Sequence, residues 1–146
     1  MKRSTQMKIL VAVDGSDNAL RAVRYAAKIS AQFDTPPPLL LLYADPPLMR
    51  SVAVSLGAKE VERYHAENAR HALSKARAAL KRAKVEFNER SAVGDPAAII
   101  AKFARSEQCD MAVMGSHGRS ALKSLLLGSV TSKVITAGVL PVLVVR

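Results

Sequence analysis

Four short stretches of this chain are almost wholly apolar, and each is cut off by a turn-forming residue or the chain end. They are Lys8 to Val13, Leu39 to Ala44 (stopped by Asp45-Pro46-Pro47), Asp110 to Met114 and Pro141 to Val145. Runs this short, without polar alternation, suit strands buried on both faces, as in a parallel sheet. A fifth stretch, Val85 to Val93, alternates in character and suits a sheet edge. Parallel strands need long crossovers, so the segments between them should be helical.

The intervening segments mostly carry that pattern. Ser16 or Asp17 can cap a helix that ends near Phe33, before Pro36-Pro37-Pro38. Its inward residues are Leu20, Val23, Ala27 and Ile29, with Arg21, Arg24 and Lys28 outside. Residues 46–58 read as an irregular, mobile loop broken at Gly57. A long helix is expected over Lys59–Ala83, with Val61, Tyr64, Ala69, Ala72, Leu73, Ala76 and Leu80 on one face. Asp95 caps the next helix, with Pro96 at its first position and Ile99, Ile100 and Phe103 inward. The last helix runs from Ser129 to Ala137, with Val130, Val134 and Ile135 inside and Gly138 at its end. The fold class is therefore α/β, a five-stranded largely parallel sheet with helices on both faces. Ligands in such folds sit at the carboxyl ends of the strands, where the winding reverses. One domain is expected over residues 1–146, with residues 1–6 a flexible lead.

Composition narrows the class further. Hydrophobic residues make up 49% of the chain but aromatics only 4%, so the core must be aliphatic. The single cysteine, Cys109, forbids an intrachain disulfide and points to a reducing compartment. It precedes an apolar strand and reads as a small buried hydrophobe. Lys2, Arg3 and the apolar run after them do not make a signal peptide, because Asp14 ends the run too early. No run approaches the ~18 apolar residues of a membrane helix. A soluble cytoplasmic protein with no membrane partner is expected.

The net charge is +10, and part of the excess is local. Arg70, Lys75, Arg77, Lys81, Arg82 and Lys84 follow one another with no acid among them. A solvated helix face accounts for them. A footprint for nucleic acid or another polyanion is the sharper reading, but no interleaved aromatics and no nucleic-acid motif accompany it.

Two strand ends carry unusual residues. The first ends in Asp14-Gly15-Ser16 and the fourth in Gly115-Ser116-His117-Gly118. Either cluster alone is ordinary turn chemistry. Together with Gly128-Ser129, which opens a helix, they suggest a phosphate site. Gly115 and Gly118 allow close backbone approach. The first N–H groups of the helix lack internal partners, and its dipole end is positive. The Ser129 hydroxyl adds a donor, and Arg119 or Lys123 adds charge. Asp14 would accept bonds from an adenine or ribose, or help hold magnesium on the phosphates. Neither G-x-x-x-x-G-K-S/T nor G-x-G-x-x-G is present, which excludes a P-loop ATPase and a dinucleotide dehydrogenase. Ser116 and His117 are neighbours in a tight loop and are not expected to face each other as a catalytic pair. His65 and His71 are six residues apart and do not form a metal pair on one helix face.

The spacing Gly115-x-x-Gly118, nine residues, then Gly128-Ser129 resembles that of ATP-binding universal stress proteins. Val-Ala-Val-Asp14-Gly-Ser resembles that family's first strand and turn, Val-Met-Gly-Ser-His-Gly-Arg and Leu-Leu-Gly-Ser-Val-Thr-Ser-Lys-Val its fourth strand and phosphate loop, and Leu-Pro-Val-Leu-Val-Val its last strand. The likeness covers residues 7 to 146. It implies a Rossmann-like sheet of order 3-2-1-4-5, of the adenine nucleotide alpha hydrolase type, and binding of ATP with magnesium. Ala12 backbone and the Asp14 side chain would border the adenosine, and Ala44 would lie near the adenine. Met114 and Gly115 would touch the ribose. Gly118, Arg119, Gly128, Ser129 and the Val130 amide would hold phosphates. The family often has proline where this chain has Ala12. A homodimer through Pro141–Val145 is also implied.

The leading function is thus an ATP-binding stress or regulatory domain with slow or no hydrolysis. A weak ATPase or nucleotidyl-transferring enzyme is a second reading, and a polyanion- or partner-binding module using the 70–84 helix face is a third.

Overall fold

The computed structural model describes residues 6–118 and 126–146. Arg119, Lys123 and all but Gln6 of the expected flexible lead lie outside the described residues. The element order is β1 (Ile9–Ala12), α1 (Asp17–Ser30), β2 (Leu39–Asp45), α2 (Arg50–Leu56), α3 (Ala58–Ala83), β3 (Phe87–Val93), α4 (Pro96–Ser106), β4 (Met111–Gly115), α5 (Ser129–Ala137) and β5 (Val142–Val145).

The five strands form one sheet of order β3-β2-β1-β4-β5, and every pairing is parallel. β1 lies at the centre: Ile9 sits beside Leu39 on one side and Met111 on the other. Successive side chains of β1 enter opposite cores. Ile9 and Val11 pack with Ala22, Val23, Ala26, Ala76 and Leu80, under α1 and α3. Leu10 packs with Ile100, Ala104, Cys109 and Val134, under α4 and α5. Full burial on both faces is why β1 reads as an unbroken apolar run. The alternating β3 occupies one edge, as its pattern requires. The winding reverses between β1 and β4, and their carboxyl ends carry the two unusual clusters.

Several local expectations need correction. Residues 46–58 are not a continuous loop: Arg50–Leu56 is a helix. It buries no residue, so no core-facing stripe marks it in the sequence. Gly57, at φ 84°, ends α2 and starts α3. α1 is capped by Ser16, whose hydroxyl accepts from the Ala19 amide, and it stops at Ser30 rather than Phe33. Its buried face is made mainly of Ala19, Ala22, Val23, Ala26 and Ala27; Leu20 and Ile29 are only partly covered. Tyr64 and Ile135, expected inside, are exposed. Asp45 does not stop β2 from outside but is its last, buried residue. Cys109 is buried among apolar neighbours, and that burial pushes its thiol up to about 11.

Candidate functional site

A cavity of about 310 Å³ opens at the carboxyl ends of β1, β2 and β4. Ala12 and Asp14 line it from β1 and the turn after it, Ala44 from β2, and Met114 and Gly115 from β4. Gly118 and the start of α5, Gly128, Ser129 and Val130, close another side. Nine of the ten residues singled out as nucleotide contacts therefore border one space. The tenth, Arg119, lies outside the described residues.

The turn geometry explains how they meet. Asp14 Oδ1 accepts from the Ser16 amide at 2.9 Å, which fixes the carboxylate beside the loop after β4. A Cβ added to Gly118 would stand 2.5 Å from Asp14 Oδ2, so the two clusters touch only because position 118 has no side chain. At Gly115 an added Cβ would lie 2.9 Å from the backbone carbon and oxygen of Asn18, so α1 and β4 approach backbone to backbone. Ser116 ties the loop at both ends: its amide donates to Val145 O at 2.9 Å, and its carbonyl accepts from the Gly128 amide at 2.6 Å. Thr131 Oγ1 donates to Gly115 O at 2.9 Å and anchors the first turn of α5 to the end of β4. The N-cap of α5 is Gly128, which has no side chain of its own to bond the first turn.

Ser116 and His117 do face each other, contrary to expectation: Ser116 Oγ lies 3.1 Å from His117 Nδ1. Among the described residues no group of three or more His, Cys, Asp and Glu side chains is placed to hold a metal ion. Arg77 of the basic run is spent on Glu89, with Nε and Nη2 at 2.5 and 2.9 Å. That bond, against the counter-effect of burial, holds the Glu89 carboxyl below its usual range.

Sequence reasoning passed over Pro46, Pro96, Ile100 and Thr131, which also line the cavity. It also passed over Asp45, which borders the cavity and accepts from Tyr43 Oη at 3.0 Å and Asn68 Nδ2 at 3.0 Å, with His65 Nδ1 at 2.7 Å. Burial alone would push its carboxyl up. The bonds from His65, Asn68 and Tyr43 together outweigh burial and hold it below the usual carboxylate range. The spacing from Asp45 to Asn68 gives no local signal; the two meet only where α3 packs back against the end of β2.

The strand order and cavity define a doubly wound parallel α/β domain with a strand-end site facing a helix N-terminus. The chain belongs to the universal stress protein family, whose sequence model matches residues 6–146. Universal stress protein MJ0531 of Methanocaldococcus jannaschii is 33% identical over 143 residues, covering 95% of this chain and 81% of that one. The solved structure of MJ0577, from the same organism, superposes with a TM-score of 0.81 at 31% identity, covering 95% of this chain and 94% of that one. A universal stress protein solved in complex with cAMP is 29% identical, with a TM-score of 0.71 over 98% of this chain and 99% of that one. Among the described residues no helix is long and apolar enough to cross a membrane.

Proposed function

We propose that this chain is an ATP-binding stress-response domain whose bound state, rather than rapid turnover, is its output. The observation that carries the reading is the shared cavity. It joins an acidic strand end, Asp14, to a glycine-lined loop and a helix N-terminus whose N-cap is a glycine. A volume of about 310 Å³ lies in the range of small-ligand sites. The relative solved with cAMP supports an adenine nucleotide as occupant.

In this reading Ala12, Asp14 and Ala44 meet the nucleoside, and Met114 and Gly115 the ribose. Gly118, Arg119, Gly128, Ser129 and Val130 take the phosphates. The amides that open α5 have no partners within the helix and supply donors without reorganisation. Magnesium would arrive on the phosphates, with Asp14 as an added carboxylate ligand. A homodimer would form through β5, an edge strand that pairs only with β4 and whose residues are all partly exposed. The single thiol fits a reducing compartment, and we assign the protein to the cytoplasm.

Calorimetric titration of dialysed protein with ATP and magnesium should show saturable binding. Its absence up to millimolar nucleotide would refute the reading. A weak hydrolase is the second reading, favoured by the Ser116–His117 contact. Sustained ADP release abolished by Asp14→Ala would establish it in place of the first. Sedimentation tests the dimer: a monomer at all concentrations removes β5 as an interface.

A further inference from the structure

Asp45 stands between two cavity-lining residues, Ala44 and Pro46. Its carboxylate meets Tyr43, His65 and Asn68. Its main-chain carbonyl accepts from the Gly94 amide at 2.9 Å. Gly94 is two residues before Pro96, which also lines the cavity. The end of β2 is thereby fastened to α3 and to the turn entering α4.

Apolar packing of this part of α3 is partial: α2 buries no residue, α3 buries none before Ala72, and Ala69 packs against the core only partly buried. Behind Asp45 lies a second cavity of about 110 Å³, bordered by Tyr43, Asp45, His65 and Ser91 among others. The strand end stays paired with β3, Ala44 beside Ala92 and Asp45 beside Val93, but on the α3 side it has room to relax, and there hydrogen bonds to Asp45 fix its position. His65 and Asn68 line no part of the main cavity.

We propose that His65 and Asn68 are positioning residues which, through Asp45, hold Ala44 and Pro46 in the conformation that receives the nucleoside. The inference rests on the nucleotide reading above. Loss of a bond to Asp45 lowers the fraction of molecules with a competent strand end, and the apparent affinity falls by that fraction. The phosphate loop, fastened through Ser116 and Thr131, is untouched.

The test measures ATP and inorganic tripolyphosphate binding by calorimetry for the wild type, His65→Ala, His65→Asn and Asn68→Ala, with thermal unfolding alongside. His65→Ala should weaken ATP binding roughly fivefold to tenfold, and Asn68→Ala should act in the same direction. Tripolyphosphate affinity should stay within about twofold of wild type, because the coupling reaches only the nucleoside end. His65→Asn, whose amide nitrogen can take the place of Nδ1, should restore most of the ATP affinity. That rescue is read on ATP alone and stands whether or not tripolyphosphate binds. Unchanged ATP affinity in His65→Ala, an equal loss for both ligands, or no rescue by asparagine would overturn the inference. Those results leave the nucleotide reading intact, whereas a wild type that binds no ATP removes both.

Discussion

Gly118→Ala isolates the contact between the two halves of the site. The backbone at 118 is not in the left-handed region, so alanine is permitted by its φ and only the new methyl matters. That methyl would sit 2.5 Å from Asp14 Oδ2. Ordinary contact needs about 1 Å more, so the carboxylate must swing away. It then leaves its rotamer, at about 0.5–1.5 kcal/mol. It also strains the bond from the Ser16 amide, a bond to a charged group worth about 1.5–3 kcal/mol when buried. Water can replace part of that bond, so the folded protein should lose only about 1 kcal/mol. In the proposed reading Asp14 meets the nucleoside, so ATP should bind about 10-fold more weakly, or about 1.4 kcal/mol. Calorimetry reads the affinity, and a double-mutant cycle with Asp14→Ala reads the cause. If the methyl acts through Asp14, Gly118→Ala should cost almost nothing further once Asp14 is alanine. An equal loss in both backgrounds would refute the argument, as would unchanged affinity in the single variant.

Other perturbations separate the fold from the site. Gly115→Ala forces a methyl onto the Asn18 backbone, which cannot rotate away. It should cost about 1–3 kcal/mol and lower Tm by roughly 3–10 °C, measured by calorimetric scan. Acid should destabilise the protein through Asp45 and Glu89, whose carboxyls both sit below their usual range when folded. Their contribution is full above the unfolded values of about 4 and is lost as pH falls through the folded ones. Urea midpoints followed from pH 6 to pH 3 should therefore fall, and fall less steeply in Asp45→Asn. A thiol at about 11 leaves roughly one Cys109 in a thousand ionised at pH 8. A thiol reagent should accordingly modify folded protein far more slowly than protein in urea; equal rates would contradict the burial.

Features that depend on neighbours in sequence were the most legible. The apolar runs exposed the strands, and Asp95-Pro96 marked the start of α4, where Asp95 accepts from the Ala98 amide. The cavity-bordering residues Gly115, Gly118, Gly128 and Ser129 were legible because glycine and serine spacing encodes backbone geometry. What escaped depends on distance along the chain or on missing burial. α2 has no inward face, so periodicity had nothing to detect. The inner face of α1 is mostly alanine, which gives a weak hydrophobic signal while allowing the helix to lie close to the sheet. Pro46 and Pro96 read as helix and strand punctuation, yet both are cavity walls. Asp45 read as a strand stop because its partners His65 and Asn68 belong to another element.

The double hold on Ser116 has an evolutionary consequence. Ser116 is bonded to Val145 in the sheet and, through its carbonyl, to the Gly128 amide, so the chain is pinned to one residue at both ends of the segment 116–128. Loop-closure entropy rises slowly with length: doubling a loop pinned in this way costs only about 0.6 kcal/mol. Insertions between Gly118 and Gly128 should therefore be accepted with little loss of stability, so the length of that segment is open to change at small cost to the sheet beneath it.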